Sequence, residues 1–147
     1  MQADVPQPSG MDTLCGVSVE RLVESRNLWL ATVRPDGRAH VAPVWFVYVE
    51  NRIWIGTGLG SVRVRNLRHN PTASACLEDG DAPVVAEGTV VIHEVERPAM
   101  VVGAFRIKYR WDITIDVDSD VGEVTLLEFR PHRWLFGRDL PTVPANH

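Results

Sequence analysis

Short stretches rich in β-branched and aromatic residues recur along the chain, and turn residues separate them. Residues 28–34, LWLATVR, stop at Pro35-Asp36-Gly37, and the pattern resumes at residues 39–49, AHVAPVWFVYV. Because Pro, Asp and Gly suit a tight turn between two such runs, this segment predicts a β-hairpin. A second turn at Glu50-Asn51 leads to a third strand. The later strands are predicted at residues 52–57, 72–79 and 83–95, with one or two more at residues 121–137.

Three segments have the spacing of amphipathic helices instead. Residues 18–27 begin with Ser18 as a candidate N-cap, and residues 61–69 end before Pro71. Residues 96–109 have a proline in the first turn, followed by apolar residues at three-to-four spacing. Few helices, and antiparallel neighbours joined by short turns, favour a closed or split β-barrel over a doubly wound sheet, whose strands would alternate with helices.

The length of 147 residues is that of one ordinary domain. We expect a flexible N-terminal tail at residues 1–15, the barrel domain at residues 16–140 and a C-terminal tail at residues 141–147. The start of the chain lacks the basic segment and apolar stretch of a secretory signal, and Cys15 and Cys76 have neither CxxC spacing nor a His partner. These features predict a cytosolic protein with reduced thiols and no metal site.

Charge and hydropathy exclude two further classes of function. A net charge of -4 and a pI near 5.7 argue against a general nucleic-acid binder, which would carry a basic surface. The apolar runs fall short of the ~20 residues needed to cross a bilayer, so no membrane association is predicted. The basic cluster in TGLGSVRVRNLRHNP, residues 57–71, is therefore local.

This basic segment has the features of a phosphate site. Alternating glycines precede Ser61 and let a ligand approach the backbone closely. Ser61 takes the N-cap position, and a helix start offers free N–H donors with a partial positive charge. Arg63 in the first turn can fold back onto the same anion. The alternative is a solvated helix face whose arginines pair with Asp or Glu, since Arg65 and Arg68 point away from Arg63.

A flat ligand could lie beside this segment. Pro43 interrupts the second strand, and proline cannot donate to a sheet ladder, so this point is an edge, a bulge or a place where something other than a strand faces the backbone. In the same strand, His40 is expected to be a partly buried, hydrogen-bonded histidine. Aromatic residues could line an apolar slot here, although tryptophans more often belong to a core. These residues are Trp45, Phe46, Trp54 and Trp111.

The chain resembles the pyridoxamine 5'-phosphate oxidase-like split β-barrel family, including its flavin and deazaflavin oxidoreductase branch, in LATVRPDGRAHVAPVWF, IWIGTGLGSVRVRNLRHNPTASACLED and VVAEGTVVI. The match spans about residues 18–136 and is strongest in the motif T-x3-S-x-K/R-x-R-N-L-x3-P, from Thr57 to Pro71. The resemblance implies a mainly β fold, a six-stranded antiparallel split β-barrel with a few short helices. It also implies a homodimer that holds FMN or coenzyme F420 at the subunit interface.

The same resemblance assigns candidate cofactor-binding residues. The strand matching Val41–Trp45 would run beside the tricyclic ring, and the segment matching Thr57–Asn66 would hold the phosphate, with Arg63 where the family usually has Lys. KYRWD, residues 108–112, resembles a segment that approaches the neighbouring subunit's cofactor, although its lysine could be solvated and its tryptophan packed in the dimer core. The candidates are Val41, Pro43, Val44, Trp45, Thr57, Gly58, Ser61, Val62, Arg63, Arg65, Asn66, Lys108 and Trp111.

The implied activity is hydride transfer between FMN or F420 and a small organic acceptor, with no acid–base residue assigned. F420 has a long anionic tail that extra cations such as Arg65 and Arg68 would bind, whereas FMN ends at its phosphate, so both cofactors stay open. RWLFGRDLP only faintly resembles the basic C-terminal motif of true pyridoxamine phosphate oxidases, so oxidation of vitamin B6 is not expected. The alternative is a non-catalytic protein that stores or senses a flavin-like or haem-like ligand.

Overall fold

The computed structural model describes residues 18–115, 117–118, 122–136 and 140–144. Residues 28–49 form a β-hairpin around the predicted turn at Pro35-Asp36-Gly37. Its two strands pair antiparallel across a turn in which Gly37 has a φ of +92°, a conformation that favours glycine. The second turn places Glu50 and Asn51 at φ values of 54° and 65°, as a two-residue hairpin turn requires. Both predicted hairpin turns are therefore present.

The described residues form three helices and seven strands. In chain order these are α1 (18–24), β1 (Leu28–Val33), β2 (Ala39–Val49), β3 (Arg52–Gly58), α2 (Val62–His69), β4 (Thr72–Cys76), β5 (Val85–His93), α3 (Ala99–Tyr109), β6 (Val117–Asp118) and β7 (Gly122–Phe136). None of the helices in these described ranges is both long and apolar enough to span a membrane.

Six of the strands close into an antiparallel barrel because the two ends of the sheet pair with each other. The hydrogen-bonded order is β3-β2-β1-β4-β5-β7, and β3 also pairs with β7. In that closing ladder, Ile53 to Gly58 face Phe129 to Val124. The short strand β6 pairs with β7 outside this cycle. The predicted mainly β fold, a six-stranded antiparallel barrel with a few short helices, is confirmed.

Two apolar cores lie on opposite faces of the barrel wall, since neighbouring residues of a strand point to opposite sides. The larger core contains inward-facing residues of the barrel strands together with Leu22 of α1. The second core lies beneath α3, where Val101, Phe105 and Tyr109 pack on outward-facing residues of β2, β3 and β7. Each large apolar side chain buried in this way contributes about 1.5–3 kcal/mol, so α3 is held firmly on the outside of the barrel.

The two ends of the chain differ in what the structure describes. The predicted tail at residues 1–15 lies outside the described residues. Near the other end, Leu140 and Val143 are buried. Val143 N donates to Pro131 O at 2.7 Å, and Trp134 Nε1 donates to Pro141 O at 3.0 Å. Residues 140–143 therefore pack on β7.

The last strand, β7, runs through Pro131 without a break. The sequence predicts one or two strands in this segment, and the structure has one. Its register with β5 shifts between Val85 and Ala86 and again between Glu87 and Gly88, so β7 bulges. Pro131 pairs with Gly88, and a Cβ at Gly88 would lie 2.1 Å from the carbonyl oxygen of Arg130. Only glycine allows this close approach of the two backbones.

Replacing Gly88 with alanine is expected to lower the free energy of unfolding by about 3 kcal/mol or more, because the methyl group would overlap backbone atoms of β7. Gly103→Ala in α3 is the matched control, since nothing lies within 4 Å of its added Cβ. That control should gain up to about 1 kcal/mol in helix stability. Denaturant unfolding of both variants measures the difference, and a Gly88→Ala variant as stable as the parent would contradict the bulge geometry.

Candidate functional site

The junction between β3 and α2 concentrates hydrogen-bond donors at one point. Ser61 has an extended backbone, with φ -71° and ψ 157°, and its Oγ accepts a hydrogen bond from Val64 N at 3.4 Å. Ser61 is therefore the N-cap of α2, as predicted. The first turn leaves the N–H groups of Val62 and Arg63 without intrahelical acceptors at the positive end of the helix dipole. Such a helix start can bind an anion.

Arg63 folds back from this first turn over the end of β3. Its Nη1 donates a hydrogen bond to Thr57 Oγ1 at 2.6 Å. Within the described part of the chain the guanidinium has no carboxylate partner, and its buried Nε has no hydrogen-bond acceptor. Burial lowers the pKa of Arg63, but an arginine remains charged in proteins. A half-buried guanidinium without a counter-ion would be stabilised by a bound anion.

His40 brings an unpaired nitrogen to the same region. It lies on β2 opposite Thr32 of β1. Its buried Nδ1 has no partner among the described residues, which differs from the hydrogen-bonded histidine expected from the sequence. Partial burial lowers the pKa of His40, and the positive charges of Arg34 and Arg63 lower it further. The imidazole is therefore neutral at about pH 7 and lies near two cations.

A cavity of about 320 Å³ separates the β1–β2 turn from α2. The turn contributes Arg34 and the Arg38–Asp36 ion pair to its lining, and the helix contributes Arg65 and Asn66. Asn66 is buried, and its Nδ2 donates to Thr32 Oγ1 at 3.0 Å, which holds α2 against β1. The side chain of Asn66 thus stabilises the wall of this cavity.

Sequence reasoning missed Arg34 as a member of this region. The available signal was its place directly before the Pro35-Asp36-Gly37 turn, combined with the expectation that the hairpin and α2 belong to one barrel. The hairpin places Arg34 on the cavity that α2 also lines. Two elements that are about 30 positions apart in the chain thus share one basic surface.

Carboxylates pair with several arginines of the described residues, but not with Arg34, Arg63 or Arg65. Arg34, Arg63 and Arg65 have no carboxylate partner within the described ranges, so this region keeps uncompensated positive charge. Arg68 was a candidate for binding the anionic tail of F420, but it pairs with Glu94 instead. The ion pairs are Arg38–Asp36 at 2.8 Å, Arg52–Glu128 at 2.7 Å, Arg130–Glu128 at 2.8 Å, Arg68–Glu94 at 2.6 Å and Arg106–Asp112 at 3.4 Å.

An exposed apolar strip, formed by Val41, Pro43 and Trp45, runs along β2. Val41 is 59% exposed and Trp45 is 36% exposed, whereas Val44 points into the barrel core. β3 pairs with β2 only from Trp45 onward, so Pro43 pairs with Trp29 of β1 and faces no strand on its other side. The interpretation that Pro43 lies at a sheet edge is therefore confirmed. A ligand on the strip can therefore contact the backbone of Val44 but not its side chain.

Trp45 ends the strip in a group of packed aromatic rings. Its ring stacks on Tyr109 with 4.5 Å between centroids and 10° between planes, and the Arg26 guanidinium lies 4.7 Å over the Trp45 ring. Trp111 meets Trp45 edge-on at 5.9 Å. Trp111 also covers Gly56, where a Cβ would come within 2.7 Å of its ring. The structure therefore brings the candidate residues Trp45 and Trp111 together.

The two other aromatic residues expected in this slot lie elsewhere. Phe46 is fully buried in the larger core, because it follows Trp45 on the strand and so faces the opposite side of the barrel wall. Trp54 packs in the core beneath α3, and its Nε1 donates to Val49 O at 3.1 Å. The expected slot of four aromatic residues is thus reduced to Trp45 and Trp111.

Lys108 is directed toward backbone carbonyls. Its Nζ donates to Phe46 O at 3.0 Å and approaches Leu22 O at 3.5 Å, and burial lowers its pKa to about 8. It lines a second cavity, which shares no lining residue with the cavity beside α2. The structure therefore separates Lys108 from the candidates around Arg63.

The fold and the site together define a small antiparallel barrel with a basic strand-to-helix junction beside an apolar strip. The family model for pyridoxamine 5'-phosphate oxidase matches residues 18–137. Because this match covers most of the chain, the protein belongs to the pyridoxamine 5'-phosphate oxidase family. No curated protein is significantly similar to the chain in sequence.

Solved structures of the same fold include proteins with different ligands. An F420 reductase is 23% identical, with a TM-score of 0.60 over 78% of this chain and 94% of that one. A pyridoxamine 5'-phosphate oxidase-related FMN-binding protein from Nostoc punctiforme is 17% identical, with a TM-score of 0.56 over 90% and 84%. The haem storage protein HutZ from Vibrio cholerae is 20% identical, with a TM-score of 0.63 over 90% and 95%. At these identities the likeness shows the fold alone.

The titration of Lys108 tests the geometry around its amine directly, because it is the only lysine in the chain. In protein labelled with carbon-13 lysine, we expect its ε-methylene NMR signal to titrate at about pH 8, since burial disfavours the ammonium form. In the unfolded chain Lys108 keeps its proton up to its ordinary pKa of 10.5. The free energy of unfolding should therefore rise with pH between about 8 and 10.5. Denatured protein is the control, and a native titration at 10.5 would mean that the amine is solvated.

Proposed function

We propose that the protein is a cytosolic oxidoreductase that binds FMN or coenzyme F420 and transfers a hydride between this cofactor and a small organic acceptor. Membership of the pyridoxamine 5'-phosphate oxidase family supports the proposal. The observation that carries it is the half-buried Arg63 guanidinium at the start of α2, which has no carboxylate partner in the described residues and whose buried Nε lacks an acceptor.

The residues at this junction fit a phosphate group. Ser61 Oγ accepts from Val64 N and from Thr57 Oγ1, each at 3.4 Å, so its own hydrogen is free to donate to an anion. The N–H groups of Val62 and Arg63 and the Arg63 guanidinium add donors of the kind that phosphate oxygens require. A phosphate would also neutralise a half-buried charge, and this attraction would offset the desolvation cost that Arg63 bears.

The strip on β2 fits the flat part of such a cofactor. Val41, Pro43 and Trp45 present apolar surface along a strand edge, and Pro43 leaves that edge without one backbone donor. When bound, the cofactor would supply the hydride chemistry, and the protein would orient it and exclude water from it. We assign no acid–base residue to this chain.

We further propose that the protein is a homodimer with the cofactor at the subunit interface. On the strip along β2, Val41 is 59% exposed and Trp45 is 36% exposed in the single chain. Exposed apolar surface of this kind marks sites of protein association when it is contiguous. A second copy that covered the strip would bury Val41 and Trp45 and would enclose the space in which a small substrate meets the cofactor.

The charge distribution favours F420 over FMN. Arg34 and Arg65 line the cavity beside α2, and the long anionic tail of F420 could occupy it. Arg68 contributes nothing to this argument, because Glu94 already pairs with it at 2.6 Å. FMN ends at its phosphate and would leave Arg34 and Arg65 without an anion. We therefore place F420 first and keep FMN as the competing cofactor.

A second candidate function is the non-catalytic storage or sensing of a haem-like or flavin-like ligand. The fold likeness to a haem storage protein is compatible with it, and His40 has a buried Nδ1 without a partner in the described chain. A storage protein would hold its ligand tightly without reduction by any donor. The visible spectrum of the purified protein separates flavin, deazaflavin and haem at once.

Substituting Arg63 with alanine is expected to weaken cofactor binding by about 10- to 100-fold, the value of one lost charge-assisted hydrogen bond in a half-buried site. Fluorescence titration with FMN and with F420 measures the change. Arg68→Ala, on the same helix but paired with Glu94, is the matched control and should leave both affinities nearly unchanged. Unaltered affinity in a folded Arg63→Ala variant would refute its role, and indifference of the parent protein to both cofactors would remove the enzyme proposal.

The double substitution Arg34→Ala with Arg65→Ala distinguishes the two cofactors. Each of these two cations near the surface contributes up to about 1 kcal/mol, so we expect the affinity for F420 to fall about 3- to 30-fold and the affinity for FMN to stay within about twofold. Arg110→Ala with Arg133→Ala removes two exposed arginines that do not line this cavity and controls for the loss of charge alone. Equal losses for the two cofactors would show that neither arginine binds the tail.

A further inference from the structure

A second cavity of about 320 Å³ lies between α1, β2 and α3. Its lining is almost entirely apolar, and one charged group, the amine of Lys108, belongs to it. This size is at the lower end of the range for small-molecule sites, which combine apolar walls with a few polar groups. The lining residues are Val23, Val47, Tyr48, Ala104, Ile107 and Lys108.

The ammonium of Lys108 is held in place, but no charged group of the described residues neutralises it. Its two hydrogen-bond acceptors, Phe46 O and Leu22 O, are neutral carbonyls, and its Nζ lies 3.9 Å from the centroid of the Phe46 ring. Among the described residues no carboxylate pairs with it. An ammonium has three N–H donors, so one remains for a ligand.

The ionisable groups around this amine do not supply the missing negative charge. Tyr48 of β2 lines the same cavity, and Tyr109 follows Lys108 on α3 with its ring 5.3 Å from Nζ. The Arg26 guanidinium, beyond the end of α1, lies 5.4 Å over that same Tyr109 ring. Burial raises the pKa of Tyr109, so its hydroxyl stays neutral at about pH 7. The surroundings of Lys108 are thus neutral or positive.

We propose that this cavity binds a small apolar carboxylate, whose carboxyl group accepts from Lys108 Nζ while its aliphatic or aromatic part packs on Val23, Val47 and Ala104. Charge complementarity selects this class of ligand. A neutral hydrophobic molecule would leave the ammonium unpaired, a cation would be repelled, and a phosphate would need several donors that an apolar wall does not offer. The site is independent of the proposed cofactor site, because the two cavities share no lining residue.

Octanoate binding to the full-length protein tests this proposal, whether or not the protein also binds a flavin. Calorimetry should show saturable binding of octanoate, with octanol and octyltrimethylammonium at least about tenfold weaker. The single lysine provides an independent signal: octanoate should raise the pKa of Lys108 above its value of about 8 in the carbon-13 NMR titration.

Two variants separate the charge from the shape of the cavity. Lys108→Met keeps the apolar stem but removes the ammonium, and it should weaken octanoate binding at least about tenfold. Ala104→Leu fills the cavity without changing any charge and should also prevent binding. Thermal melting confirms that each variant folds.

Three outcomes would overturn the proposal. They are no saturable binding of octanoate, unchanged affinity in Lys108→Met, and equal binding of octanol. A fourth outcome would assign the cavity to a second copy of this chain. In that case Ile107→Asp, at a rim position that is 86% exposed in the single chain, would convert a dimer to a monomer and octanoate would not bind the parent protein.

Discussion

Closure of the barrel by the pairing of β3 with β7 is the constraint on which the candidate site depends. The ladder runs to Gly58 at the end of β3, and Leu59 N extends it by donating to Glu123 O at 2.8 Å. Ser61 N then donates to Gly58 O at 3.0 Å and turns the chain into α2. Backbone hydrogen bonds therefore fix the position of Thr57 relative to the helix start, and the donors at this junction converge without help from a ligand.

A buried side-chain hydrogen bond sets the rotation of α2 on the barrel. Asn66 donates to Thr32 at 3.0 Å, and a buried amide that lost this partner would cost about 1–3 kcal/mol. With Asn66, Val64 and Leu67 facing the barrel, Arg65 is left on the exposed side, above the β1–β2 turn. The positive charge beside α2 is thus a consequence of packing, and an anion from outside the chain can compensate it.

The end of α3 organises the outer face of the barrel in a similar way. Tyr109 Oη donates to Arg26 O at 2.7 Å and accepts from Phe46 N at 3.0 Å, while its ring stacks on Trp45. The preceding residue, Lys108, lines the apolar cavity between α1, β2 and α3. One helical turn therefore positions both the aromatic end of the β2 strip and the amine of the second cavity, because α3 is anchored through its apolar face.

Local features of this protein were determined by the sequence alone, because they depend on residues close together in the chain. Backbone preferences and periodicity determine the turns at Gly37 and at Glu50-Asn51, the N-cap at Ser61 and the succession of helices and strands along the chain. Tertiary structure decided the rest: the pairing of Arg68 with Glu94, the position of His40 Nδ1 beside Arg34 without a partner in the described chain, the burial of Phe46 in the larger core, and the passage of β7 through Pro131. These features depend on residues that are far apart in the chain and that barrel closure brings together.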